Sequence, residues 1–162
     1  MKKAQTEQIF VFIFAMVVIA ALIFLGLKLI KSTTCTADRV ELANAMTNIN
    51  KYINIAYNMA PGSVIQRQLA IPKSLKFFCF IDPENPDYEK IKDTTVKNII
   101  QSRIEAGDKS NFYWQMGGKC PAQPLQKTYD KLKISKTLYL TPDSGTITIK
   151  LENKGDNVDI YL

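Results

Sequence analysis

The sequence predicts an α+β protein: an N-terminal transmembrane helix, an amphipathic helix that continues it, and a mixed domain dominated by antiparallel sheet with one further helix. Three observations predict this class. Residues 9–27 carry no charge. Residues 42–60 repeat apolar side chains at spacings of three and four, as one face of a helix does. Much of the remaining chain consists of short runs rich in β-branched and aromatic residues between turn residues.

The apolar stretch Ile9–Leu27 is long enough to cross a membrane. As a helix it spans about 28 Å, close to the hydrocarbon thickness of a bilayer. Large apolar side chains occupy every side, so that no polar face remains for water. We therefore expect a single-pass anchor in the lipid bilayer, with the span marked by Ile9, Phe10, Phe14, Val18, Leu22, Leu25 and Leu27.

The span divides the chain into four predicted segments. These are a basic tail (1–8), the transmembrane helix (9–30), a joint with the amphipathic helix (31–61) and an α+β head domain (62–162). Lysines flank both ends of the span, so charge favours neither orientation strongly. A short basic tail before an apolar core is typical of an uncleaved signal-anchor, which predicts a cytoplasmic N-terminus and a head outside the cell membrane.

The N-terminus resembles a known family. Lys2-Lys3-Ala4-Gln5, followed by a short polar stretch and a long apolar helix, is similar to the start of archaeal type IV pilin-like precursors. The resemblance covers about the first 30 residues. It implies cleavage between Ala4 and Gln5 and a helix that anchors the protein or packs with copies of itself or other pilin-like subunits. Ile9 stands where the family often has Glu.

Composition argues against most catalytic and nucleic-acid functions. The chain has no histidine, which removes the usual general base and its pairs with Ser or Cys. Beyond the flanks of the span, 17 basic and 14 acidic residues give a net charge of +3, without a basic tract for phosphates. We predict a non-enzymatic protein without a cofactor or metal, and the sequence identifies no small-molecule substrate. A membrane-bound hydrolase would need nucleophile–base pairs that no motif supplies.

Asp38 forms a capping-box pattern with Glu41 that is predicted to restart or steady the helix, and the amphipathic helix is predicted to end at Pro61-Gly62. Its apolar stripe has two interpretations. It covers the sheet of its own domain, as amphipathic helices usually do, or it packs laterally on neighbouring subunits. The stripe consists of Leu42, Met46, Ile49, Ile53, Ala56 and Ala60.

The head domain is predicted to hold several strands and one helix. Val64–Ile71 and Leu75–Ile81 indicate two strands, and the second is apolar enough to lie at the centre of the sheet. A helix is predicted from Tyr88 to about Ala106. The acidic loop Asp82–Glu89 has two interpretations: a Ca²⁺ site, whose spacing fits no EF-hand, or carboxylates that favour the next helix N-terminus.

The aromatic strand Asn111–Met116 is interpreted as core, with a stacking platform for a sugar or base as the alternative. Gly117-Gly118-Lys119 lacks the remaining residues of a phosphate-binding loop. Thr137–Leu140 and Thr146–Leu151 flank a Pro-Asp-Ser-Gly turn and predict a hairpin, after which residues 157–162 add a last strand to the meander.

The three cysteines leave one unpaired if a disulfide forms. We predict a Cys79–Cys120 bridge, which leaves Cys35 free, lipid-linked or paired with another chain. The alternative is three reduced thiols. Taken together, the sequence predicts a membrane-anchored surface protein of pilin-like build with a role in assembly or adhesion. The alternative function is an uncleaved accessory ectodomain that binds a ligand or a membrane complex.

Overall fold

The computed structural model describes residues 2–117, 120, 125–141 and 145–162, with the side chains of the first helix described from Val11 onward except at 30–32 and 34. The predicted α+β class is confirmed. The described residues form helices α1 (Lys2–Tyr57) and α2 (Thr94–Glu105) and a 3₁₀ turn (Tyr88–Lys90). The strands are β1 (Val64–Ala70), β2 (Leu75–Phe80), β3 (Phe112–Met116), β4 (Leu125–Lys127), β5 (Leu132–Lys133), β6 (Leu138–Leu140), β7 (Thr146–Asn153) and β8 (Val158–Tyr161).

The chain separates into two compact units, residues 1–37 and 38–162. Helix α1 is continuous through the boundary, which confirms the predicted transmembrane helix that continues into an amphipathic helix; no new helix begins at Asp38. The polar joint itself is helical, and the Thr33 hydroxyl donates to the Leu29 carbonyl one turn earlier at 2.9 Å. Because this joint contains neither Pro nor Gly, nothing in it interrupts the backbone ladder of the helix.

From Asp38 onward, one face of α1 is buried in the head domain. Its buried residues are Leu42, Ala45, Ile49, Ile53 and Ala56. A narrow space of about 10 Å³ between Leu42, Leu69, Phe78 and their neighbours marks where the helix meets both sheets. The apolar stripe therefore serves the core of its own domain. Ala60, the last residue of the predicted stripe, lies beyond the helix and is exposed.

The head contains two four-stranded sheets rather than one. The first has the order β1-β7-β8-β5, with β5 parallel to β8 and the other pairs antiparallel. The second has the order β4-β3-β2-β6 and is antiparallel throughout. The predicted hairpin between residues 137–140 and 146–151 is wrong, because β6 pairs with β2 whereas β7 pairs with β1 and β8. The central residues of that turn, 142–144, lie outside the described residues.

Strand β2 is an interior strand of the second sheet, between β3 and β6, as its apolar sequence predicts. One face of this second sheet carries stacked aromatic rings from β2 and β3. The ring centroids are 4.5 Å apart for Phe80 and Phe112 and 5.2 Å apart for Phe112 and Trp114. The opposite face packs against α2 through a cluster that includes Phe77, Cys79 and Tyr113. Trp114 is only 7% exposed, so it serves the core, as expected, and not a stacking platform.

Helix α2 begins later than its apolar spacing predicts. The Asp93 carboxylate accepts hydrogen bonds from the backbone N–H groups of Thr95 at 2.9 Å and Val96 at 3.2 Å, which sets the helix start. Residues 88–90 form a separate 3₁₀ turn, which Asp87 caps by accepting from the Glu89 N–H. At the other end the chain reverses at Gly107, whose φ of +92° is a conformation that other residues rarely adopt.

Candidate membrane anchor and surface cleft

The first unit presents the candidate anchor. Val11–Leu29 forms one helix segment of 19 residues with a mean hydropathy of 2.7, and no part of it is buried. Phe14, Leu22 and Leu27 are each more than 60% exposed, and Val18, Leu25 and their neighbours are exposed as well. Such a continuous apolar surface is not stable in water and matches the lipid-facing surface of a span. The side chains of Ile9 and Phe10 lie outside the described residues.

The candidate processing residues, Ala4 and Gln5, lie in the first turns of α1. Their side chains also lie outside the described residues. Cleavage between them stays a prediction.

The predicted Cys79–Cys120 bridge is wrong. The disulfide joins Cys35 and Cys120, and Cys79 is a free thiol. Cys79 is fully buried on the β2 face that packs against α2, where its neighbours are apolar. Burial raises the pKa of the Cys79 thiol to about 12, so the thiol remains neutral. Spacing alone does not determine the connectivity of cysteines, and the strand pattern indicates only that Cys79 is buried.

The head domain contains a surface cleft of about 450 Å³. Three segments that are distant in sequence line it: residues 82–84 after β2, residues 104–111 at the end of α2, and residues 132–134 along β5. Leu132 and Ile134 are buried and Ile104 is partly buried, so these side chains make the apolar part of the wall. Sequence reasoning missed this site because no motif links the three segments.

Hydrogen bonds within the chain fix each wall of the cleft. Asp82 Oδ1 accepts from the Glu84 N–H at 3.0 Å, which folds the loop around Pro83. Asp108 Oδ1 accepts from the Ser110 N–H at 2.9 Å just beyond the end of α2. The buried Asn111 side chain donates to the carbonyls of Tyr129 and Leu132 at 2.9 and 3.0 Å, and thereby holds the segment that carries β5.

Two buried oxygens lie below the cleft wall. Within the described chain, neither Asp108 Oδ2 nor the Tyr113 hydroxyl meets the geometry of a hydrogen bond. Burial raises the pKa of Tyr113, and the nearby Asp108 carboxylate raises it further. The phenol therefore stays protonated and is a donor that faces a carboxylate.

The lining of the cleft carries charges of both signs. Asp82, Glu84 and Asp108 contribute carboxylates, and Lys109 and Lys133 contribute ammonium groups. In the part of the chain that the structure describes, no three Asp, Glu, Cys or His side chains converge as metal ligands would. The acidic loop instead uses Asp82 and Asp87 to accept backbone N–H groups.

No protein-family model, curated protein or solved structure matches this chain.

Proposed function

We propose that this chain is a non-enzymatic, single-pass surface protein of pilin-like build, with its head outside the cell membrane and a role in assembly or adhesion of a surface structure. The observation that carries the proposal is α1. Its apolar segment Val11–Leu29 has no buried residue, whereas the later turns of the same helix are buried in the head domain. Pilin-like proteins use one long N-terminal helix for both tasks, and Lys2-Lys3-Ala4-Gln5 resembles their processing site.

The disulfide supports a location of the head domain outside the cell membrane. Disulfides persist in oxidising compartments and are rare in the cytosol. Cys35 follows the end of the apolar segment at Leu29 by only six residues. A cytoplasmic N-terminus with an external head therefore accounts for both the span and the bond.

Membrane anchoring is tested with a matched pair of double variants. V18R/A21R places two charges within the span, each of which costs roughly 2.5–3.5 kcal/mol at the membrane centre. V40R/A43R has the same spacing on exposed positions beyond the span. After an alkaline carbonate wash, we expect the first variant to leave the membrane fraction and the second to remain. Equal retention of both variants would show that the span is not the anchor.

The location of the head is tested by counting thiols. The native protein is denatured, alkylated with and without prior reduction, and weighed intact. We expect one adduct without reduction, at Cys79, and three after reduction. Three adducts without reduction would place the head in a reducing compartment and contradict the proposal.

Pilin-like processing is tested by the intact mass of the protein from its native membrane. A mass that lacks residues 1–4, together with filaments in electron micrographs, would support assembly. Ala4→Phe should then block cleavage, because the resemblance places a small residue before the cut.

A full-length mass without filaments would favour the alternative, an uncleaved accessory ectodomain that binds a ligand or a membrane complex. The cleft of about 450 Å³ is the observation that favours this second function.

A further inference from the structure

We infer that the cleft in the head domain binds a ligand that carries both an ammonium group and a carboxylate on an aliphatic body: an amino acid or a short peptide with free ends. The inference depends on the geometry of the head alone. It deepens the accessory-ectodomain alternative and does not depend on the anchor or on processing.

The size of the cleft is suitable for such a ligand. Its volume of about 450 Å³ lies within the roughly 300–1,000 Å³ that small-molecule sites occupy. The apolar part of the lining consists of the partly buried Ile104 and the small exposed parts of Leu132 and Ile134, which are otherwise buried. An aliphatic side chain on this surface would leave water, which favours binding.

The charges of the cleft have both signs and come from different elements. Asp82 and Glu84 lie on the loop after β2, whereas Lys133 lies on β5. The described salt bridges join Lys76 to Asp93 and Lys154 to Glu152, so the described ion pairs leave these three side chains unpaired. A ligand with an ammonium at one end and a carboxylate at the other could pair with both walls.

The cleft is also organised before any ligand arrives. The Asp82 turn, the Asp108–Ser110 hydrogen bond and the Asn111 amide hold its three walls through contacts within the chain. A site that is ordered in advance loses less conformational entropy on binding.

Other ligand classes fit the lining less well. None of the described residues that line the cleft is aromatic, so these residues offer no stacking surface to a sugar ring or a nucleobase. Among the described lining residues there are three carboxylates and two lysines, a net negative charge that disfavours phosphates. A purely apolar ligand would remove these charges from water without pairing them.

The test is a methyl NMR titration of the full-length chain in detergent micelles, labelled at isoleucine methyl groups. The probes are L-leucine and tri-alanine with free ends, and acetylated tri-alanine amide is the uncharged control. We expect saturable shifts at Ile104 and Ile134, with Ile149 in the first sheet unchanged. Binding of leucine alone would identify a free amino acid as the ligand, and stronger binding of tri-alanine would identify a peptide.

Charge variants test the two walls separately. Lys133→Gln should weaken binding about tenfold by removing the partner of the carboxylate, and Glu84→Gln should do so by removing a partner of the ammonium. Lys73→Gln and Asp156→Asn, at exposed positions outside the cleft lining, are matched controls that should change nothing.

Three results would overturn the inference: no saturable shift with either probe up to about 20 mM, a range that covers even weak small-ligand binding; equal binding of the blocked peptide; or unchanged affinity in both cleft variants. Membrane retention and thiol counts do not depend on the cleft. A failure here is therefore distinguishable from a failure of the proposed function.

Discussion

At the scale of single residues, Asn153 connects parts of the head that are distant in sequence. It is 2% exposed. Its amide nitrogen donates to the carbonyls of Tyr57 and Met59 at 3.0 and 2.8 Å, and its oxygen accepts from the Gly155 N–H at 2.7 Å. One side chain thus satisfies backbone groups at the end of α1 and in the turn between β7 and β8.

We predict that Asn153→Ala lowers the free energy of unfolding by roughly 2–3 kcal/mol, because three backbone groups lose their hydrogen-bond partner in a buried environment. Asn58→Ala, at an exposed position near the end of α1, should change it by less than about 0.5 kcal/mol. Urea unfolding of the full-length chain in detergent, followed by fluorescence of the sole tryptophan, measures both. Equal effects would mean that these hydrogen bonds do not stabilise the fold.

Cys79 makes stability depend on alkaline pH. Burial raises its pKa from 9.0 to about 12, so the folded state keeps a proton that the unfolded chain loses earlier. The stability that the buried, neutral thiol contributes to the folded state is fully present below pH 9 and is lost as the pH rises through 12. The difference is on the order of 3 kcal/mol at pH 12.

Cys79→Ala should therefore lose less stability than the native chain between pH 9 and pH 12. The measurement is the difference in unfolding free energy between the two proteins at several values of pH. Parallel curves would contradict the burial of a neutral thiol.

At the scale of elements, apolar periodicity predicted that the helices exist better than it predicted the residues at which they begin and end. The stripe from Leu42 to Ala56 identifies the buried face of α1, because side chains three and four apart share one side of a helix. The pattern Asp38-x-x-Glu41 nevertheless left open a restart of the helix at a place where α1 is continuous. A capping box stabilises a helix end only where the backbone N–H groups lack partners, and inside α1 they already have them.

The cap of α2 gives a prediction at the same scale. Asp93→Ala should lower stability by about 1 kcal/mol, because the Thr95 and Val96 N–H groups lose their acceptor. Asp93 also lies 3.8 Å from Lys76, with both side chains partly exposed. Lys76→Ala should cost less than about 0.5 kcal/mol, since exposed ion pairs contribute little. If thermal unfolding shows the larger loss for Lys76→Ala, the cap is not the stabilising contact.

The short strands were not predictable from their own residues. Asn111 holds the segment around β5 by bonding Tyr129 and Leu132, more than 15 residues away in sequence. Likewise, β6 belongs to the second sheet because it pairs with the edge of β2, with Leu138 opposite Phe80. Neither partner is near in sequence, so the pattern of a short strand carries no information about its pairing.

At the scale of the whole molecule, the apolar helix of the candidate anchor was predictable from the sequence and the cleft was not. A span is a property of consecutive residues, so composition reveals it directly. The cleft brings together residues 82–84, 104–111 and 132–134, and only the two-sheet topology makes them neighbours. The disulfide was wrongly predicted for the same reason, because three cysteines allow several pairings and only the fold selects one.

The Cys35–Cys120 bond gives the prediction at this scale. It closes a loop of about 85 residues, for which the chain-entropy model expects roughly 4–5 kcal/mol of stabilisation. Cys35→Ser/Cys120→Ser should therefore lower the free energy of unfolding by several kcal/mol, and Cys35→Ser alone should do nearly the same. Reduction of the native protein should reproduce the loss.

Cys79→Ser is the control for the bond, because it leaves both partners in place. Its intact mass should still rise by two hydrogens on reduction, whereas the mass of the Cys35→Ser variant should not. If Cys79→Ser abolished this mass change, Cys79 would be a partner in the bond. If the double variant were as stable as the native chain, the bond would not stabilise the fold by constraining the unfolded state.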